Sequence, residues 1–152
     1  MEIGDAAPPF DLPTDGGTAS LAALHGRKVV VYFYPKDDTP GCTTEANDFT
    51  RLAAEFTAAD TTVIGVSKDS VAAHAKFRAK HGLGIDLASD PDGSTIEAYG
   101  AWVEKSMYGK KYMGIDRATF LIGRDGTLAA AWRKVKVPGH AAAVLKAAQE
   151  LA

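Results

Sequence analysis

The sequence predicts an α/β protein: a central mixed β-sheet flanked by helices, with an N-terminal β-hairpin extension. Three observations carry this. Lys28–Tyr34 (KVVVYFY) and Thr62–Ser67 (TVIGVS) are β-branched, aromatic and apolar on both parities, as strands covered on both faces are. Each is followed by a segment with helical character, which makes strand–helix–strand units and a partly parallel sheet. Near the C-terminus, Ala118–Ile122 and Thr127–Trp132 instead flank Arg124-Asp125-Gly126, and Asp-Gly tolerates φ > 0, so these two runs form an antiparallel hairpin.

The elements follow in order. Short strands flank the Asp15-Gly16-Gly17 turn, then Lys28–Tyr34 ends at Pro35 and gives way to the loop Lys36-Asp37-Asp38-Thr39-Pro40-Gly41. From Cys42 onward, Phe49, Leu52, Ala53 and Phe56 fall at i, i+3, i+4 and i+7, the stripe of one amphipathic helix. After Thr62–Ser67, a helix runs from Ser70 to His81 and is closed by Gly82. Ile85–Ala88 is a weaker strand, and Asp90-Pro91-Asp92-Gly93 turns the chain into a short helix containing Ile96 and Tyr99. Val144, Leu145, Ala148 and Leu151 mark a last helix after Pro138-Gly139. This order matches the thioredoxin-like architecture, although it suits other α/β folds too.

Composition narrows the function. The 152 residues suit one domain over 1–152, with no repeat, linker or low-complexity tract. Net charge is −2, without the basic patch that nucleic-acid or anionic-membrane binding needs. The longest apolar run, Val29–Tyr34, is far short of a membrane span, and the N-terminus lacks a signal-peptide pattern, so a cytoplasmic protein is expected. His25, His74, His81 and His140 share no ligand-like spacing; they are expected at the surface, with no metal site. Asp37 and Asp38 are expected to be plain loop charges; Trp102 and Tyr108 can line a pocket mouth, with core packing the favoured reading for Trp102.

The single cysteine, Cys42, excludes an intrachain disulfide. It is either an inert buried side chain or a thiol with chemistry to do. It lies where a buried strand passes through a turn into a helix, at the carboxyl edge of the sheet, where open α/β proteins place ligand sites. In the first helical turn, unpaired N–H groups and the positive dipole end favour a thiolate. Thr39 can offer its hydroxyl beside the sulfur or serve as a plain N-cap. Gly41 leaves the backbone open to a ligand, and Pro35 and Pro40 read equally as punctuation.

Together these residues form Pro35-x-x-x-Thr39-x-x-Cys42 within YFYPKDDTPGCTTEA. The pattern resembles the peroxidatic-cysteine motif of peroxiredoxins, in wording closest to the bacterioferritin-comigratory-protein, or PrxQ, subfamily. The resemblance runs through Gly4–Pro8, Tyr99–Lys105, Gly114–Ile122 and Lys134–His140. It implies a thioredoxin-like fold and a thiol peroxidase that reduces hydrogen peroxide and organic hydroperoxides through a Cys42 sulfenic acid. By position, Cys42 would be the nucleophile, Thr39 the hydroxyl contacting peroxide, and Pro35 a shield against water. Arg117, at the start of a later strand, would lie against the thiolate and hold the peroxide oxygens, although alone it reads as a solvated strand-end charge. Gly41, Thr39, Cys42 and Arg117 would together bind the substrate. Glu45 would orient Arg117 or nearby backbone, or equally act as a dipole partner in the first helical turn. No cofactor or metal is implied, and a monomer or weak dimer is expected.

The chain departs from the subfamily in one respect. Many relatives carry a resolving cysteine five residues after the first, where this chain has Asn47, and others place it on a later helix. The oxidised sulfur must therefore be recycled from outside, by a small thiol, a thioredoxin- or glutaredoxin-type protein, or a second copy of the chain. Two further readings stay open: a redox sensor on the peroxiredoxin fold that relays oxidation to a partner, and a non-catalytic thioredoxin-like domain with a structural cysteine.

Overall fold

The structure, a computed structural model, describes residues 1–152. Its frame is a seven-stranded sheet of order β2-β1-β5-β4-β3-β8-β9. The strands are β1 Asp11–Thr14, β2 Gly17–Ser20, β3 Lys28–Phe33, β4 Thr61–Ser67, β5 Asp86–Ser89, β8 Ala118–Ile122 and β9 Leu128–Trp132. β3, β4 and β5 are parallel, while β1, β2, β8 and β9 join antiparallel, which gives the expected mixed sheet. The N-terminal hairpin is no appendage: β1 pairs with β5 and completes the sheet edge.

β3 lies at the centre and shows why its sequence is apolar on both parities. Val29, Val31 and Phe33 pack into one core cluster, and Val30, Tyr32 and Tyr34 into the other, on opposite faces of the sheet. The first face is closed by the N-terminal segment (Ala7, Phe10) and by α4 (Ser94–Ala98), with Ile96 and Tyr99. On the second lie α1 (Pro40–Arg51), α2 (Ala53–Ala58), α3 (Val71–His81) and α5 (His140–Glu150), through Phe49, Phe56, Phe77 and Val144. Lys28, at the start of β3, is buried and donates Nζ to the Ala148 and Leu151 carbonyls at 2.6 and 2.9 Å. A cation so placed caps the negative end of α5.

Helix α3 starts and stops where the sequence indicates. Ser70 is the N-cap, its side chain accepting from Ala73 N, and Gly82 ends the helix at φ 63°. The expected helix after Cys42 is instead two, broken at Leu52 (φ −96°, ψ 3°). The stripe Phe49, Leu52, Phe56 continues through the break, so residue spacing carries no sign of it.

One element is absent from the sequence reading. β6 (Trp102–Met107) and β7 (Lys110–Ile115) form a separate antiparallel hairpin, turning at Tyr108-Gly109 with φ of 52° and 77°. Both central residues at positive φ make the turn that matches strand twist, but Tyr-Gly is a weak signal beside Asn-Gly. Both faces of the hairpin are largely exposed, so the alternation that betrays a half-buried strand is missing. Half-buried Trp102 packs against the first core cluster with Lys68 Nζ 4.1 Å above its ring, whereas Tyr108 stands exposed at the tip.

Candidate active site

The site forms where β3 ends and α1 begins, with β8 alongside. Pro35 is exposed at the end of β3, where its ring fixes the turn out of the sheet. Thr39 is the N-cap residue of α1 in extended conformation (φ −92°, ψ 156°), and Pro40 follows at N1. Thr39 does not cap with its side chain: the hydroxyl donates to the Lys36 carbonyl at 2.8 Å. The proton is thus committed to the loop, and the oxygen lone pairs remain available to accept.

Cys42 lies in the first turn of α1 and is 2 % exposed, inside the second core cluster. Its sulfur accepts from Arg117 Nη2 at 3.4 Å, and Arg117 Nη1 donates to Glu45 Oε1 at 2.7 Å. One guanidinium therefore bridges the thiol and a carboxylate, using the fork geometry that lysine lacks. Arg117 sits immediately before β8, which pairs antiparallel to β3 from Phe33↔Ala118 onward. That register carries Arg117 to the end of β3 from which the loop to Cys42 departs. Cys42 and Glu45 share a face of α1 at i and i+3, whereas no sequence spacing links either to position 117; the strand pairing does.

Glu45 is buried at 1 % exposure and lies beyond the first turn of α1, so the dipole-partner reading gives way to an ion pair with Arg117. Burial pushes its carboxyl up to about 7, against the pull of the Arg117 charge and hydrogen bond. On Arg117, burial works against the charge, but Glu45 and Cys42 outweigh it and hold the guanidinium firmly protonated.

Gly41 has a role the sequence did not disclose. A Cβ there would lie 3.2 Å from Arg117 Nη2, so a side chain would crowd the guanidinium. We expect Gly41→Ala to displace Nη2 by a few tenths of an ångström and slow the peroxide reaction severalfold, with little loss of folding. Single-turnover peroxide kinetics alongside a thermal melt checks this; a rate equal to the parent's refutes it.

Other residues were missed. Tyr32 stacks on Phe49 (4.7 Å, 20°), lies over Gly65, and buries a hydroxyl without a partner. Glu45 Oε2 is likewise unpaired, and burial followed by the Glu45 and Cys42 charges pushes the Tyr32 phenol up. The histidine expectation needs correcting for two of the four. His140 is buried, 2.7 Å from Thr119 Oγ1 and edge-on to Phe49 and Trp132; burial and then the Arg117 charge lower it to about 4. His74 is wholly buried against Asp37, which is therefore no plain loop charge. Both histidines replace solvent with hydrogen-bond partners, which helical or loop position alone cannot reveal. No group of three His, Cys, Asp or Glu side chains is arranged to hold a metal ion. No helix is long and apolar enough to cross a membrane.

Comparison with known proteins gives the family of the chain. The AhpC/TSA family matches residues 3–131. Peroxiredoxin Bcp of Xanthomonas campestris is 51% identical over 141 residues, covering 91% of this chain and 88% of its own. Peroxiredoxin Bcp of Bacillus subtilis is 46% identical over 152 residues, covering 99% and 97%. The Xanthomonas campestris bacterioferritin comigratory protein, described for its alkyl peroxide reduction activity, superposes with a TM-score of 0.90 at 47% identity, covering 98% of this chain and 96% of its own. Peroxiredoxin Q of Xanthomonas campestris has been solved as two different single cysteine-to-serine mutants, so it carries at least two cysteines where this chain has one. By matched length, identity and fold, this chain belongs to the AhpC/TSA family as a peroxiredoxin of the Bcp/PrxQ kind, a thiol-dependent peroxidase.

Proposed function

We propose that Cys42 reduces hydrogen peroxide and organic hydroperoxides by a one-cysteine cycle. The observation that carries this is the guanidinium of Arg117, fixed by Glu45 and 3.4 Å from the only sulfur-bearing nucleophile. The Cys42 thiolate attacks the terminal oxygen of ROOH, forming S–OH as the O–O bond breaks. The departing RO⁻ takes a proton and leaves as ROH, or water when R is hydrogen. Sulfur is oxidised by two electrons and the peroxide reduced by two. Arg117 Nη2 faces both the sulfur and the oxygens on which charge develops, and such preorganised donors carry much of an enzyme's barrier reduction. Thr39, with its proton spent on Lys36, accepts from the peroxide O–H and orients the attacked oxygen. Pro35 shields the sulfur from bulk water. The alkyl peroxide activity named for the Xanthomonas relative supports organic hydroperoxides as substrates.

The sulfenic acid then meets an external thiol. A first R′SH forms Cys42–S–SR′ and water, and a second releases the Cys42 thiol and R′SSR′. A thioredoxin- or glutaredoxin-type protein or a small thiol fills this role, because Cys42 has no second cysteine to pair with and position 47 is an exposed asparagine. The test is steady-state peroxide loss against a panel of thiol donors, with mass spectrometry on Cys42.

The same cycle makes a prediction about inactivation. Without a resolving thiol the sulfenic acid waits for a donor, and a second peroxide can take it to sulfinic acid, which ordinary thiols do not reverse. Activity is expected to decline as the peroxide-to-thiol ratio rises, with Cys42 gaining two oxygens in step. Full activity at high peroxide and limiting thiol, with no sulfinic Cys42, would contradict the one-cysteine cycle.

A further inference from the structure

The loop between β3 and α1 delivers the chain to Cys42, yet much of its anchoring comes from α3. Asp37 turns its carboxylate inward: Oδ1 accepts from the Tyr34 hydroxyl at 2.6 Å, and Oδ2 lies 2.6 Å from His74 Nδ1. The other ring nitrogen, Nε2, lies 2.9 Å from the Ala88 carbonyl oxygen. Both nitrogens therefore face oxygens placed to accept, and an imidazole satisfies two acceptors only when both nitrogens carry protons. Asp37 N–H also donates to Asp69 Oδ2 at 2.9 Å, an oxygen that takes the Ser67 hydroxyl at 2.7 Å. Asp38 adds Lys80 and His81, at 2.7 and 2.8 Å, but these contacts are exposed and contribute little.

We infer that His74 is a positioning residue for the peroxide reaction: its buried ion pair with Asp37 latches loop 35–39 onto α3 and holds Cys42 against Arg117. This rests on the reading of Cys42 as the peroxide-reducing thiol. His74 touches neither sulfur nor peroxide and acts through the loop. The peroxide step uses the latched arrangement, in which the guanidinium meets the sulfur. The thiol step brings a second, larger sulfur to a residue that is 2 % exposed, so the loop must yield first.

The latch also has a pH dependence with a definite sign. Burial pulls His74 down, but the Asp37 hydrogen bond and charge, the Ala88 carbonyl and Asp69 more than offset it and leave the ring above its ordinary value. The groups facing it are Tyr34 just after β3, Asp37 from the loop, Asp69 from the β4–α3 turn, and Asp15 from the β1–β2 turn, itself paired with Arg78. A raised folded-state value means the latch is complete below the ordinary histidine pKa and lost as pH rises through the raised one.

Two variants test this: His74→Phe, which keeps the buried bulk, and Asp37→Asn, which keeps an acceptor for Tyr34. Stopped-flow measurements give two rate constants, for hydrogen peroxide with the reduced protein and for dithiothreitol with the oxidised protein. Their ratio is unaffected by the fraction of active protein. It is expected to fall about tenfold, short of the roughly 10²-fold that a 1 Å misplacement can cost. The gap between parent and His74→Phe peroxide rates should narrow as pH rises above the histidine range. A peroxide-to-thiol ratio unchanged or raised in either folded variant overturns the latch. A parent protein that fails to consume peroxide would instead sink the underlying reading.

Discussion

Cys42→Ser is expected to abolish peroxide reduction and leave the fold in place. The reaction forms an S–O bond from a polarisable thiolate, and a serine hydroxyl, un-ionised at neutral pH, has no comparable route to peroxide oxygen. The structural cost is small because the replacement is close in size. The buried hydroxyl has a donor already aimed at it, Arg117 Nη2, which stands 3.4 Å from the native sulfur. Burying an unpartnered hydroxyl costs about 1–3 kcal/mol in proteins, and this contact offsets part of that. Peroxide loss with excess thiol and a thermal melt together decide the matter. A serine variant consuming peroxide at the parent rate would remove Cys42 from the chemistry altogether.

Arg117→Ala is expected to slow peroxide attack by roughly 10²-fold, the cost of losing one preorganised donor to developing oxyanion charge. Arg117 is partly buried and pairs with Glu45, so the stability effect must be separated from the chemical one. Removing the guanidinium leaves Glu45 buried without its partner. A carboxyl already pushed up to about 7 then takes a proton rather than standing as an unpaired buried charge. The folding penalty is thereby limited on the acid side of neutrality and grows as pH rises, because burial disfavours the ionised form. The double variant Arg117→Ala/Glu45→Gln removes that pH-dependent cost and should keep the slow peroxide rate. Arg117→Lys retains the charge but cannot bridge Glu45 and Cys42 together, and it should recover only a small part of the activity. Parent-like peroxide rates in Arg117→Ala would return this residue to a structural role.

The strands β3 and β4, the α3 caps at Ser70 and Gly82, and the β8–β9 hairpin at Asp125-Gly126 were legible because each rests on local chemistry. Apolar residues on both parities, a side-chain oxygen before a helix, and glycine at positive φ need no distant partner. The Pro35–Thr39–Cys42 motif was legible for the same reason, since the loop that carries it is contiguous.

The sequence by itself determined the α/β class, the central strands and the presence of a single cysteine, with no second thiol in the chain to pair with it. Only the tertiary structure decided what surrounds the sulfur. Arg117 meets Cys42 because β8 pairs antiparallel to β3 from Phe33↔Ala118 onward. Glu45 is an ion-pair partner rather than a dipole partner because its helix face turns inward toward that arginine. Gly41 lies close against the guanidinium, and a Cβ there would stand 3.2 Å from Nη2. His74 and Asp37, apart in sequence and unremarked by any motif, meet because α3 packs on the same face of the sheet as α1. Hydrogen bonds and ion pairs between distant segments are short-ranged and have no period, so residue spacing cannot encode them. Packing two apolar faces against one sheet decides which side chains meet.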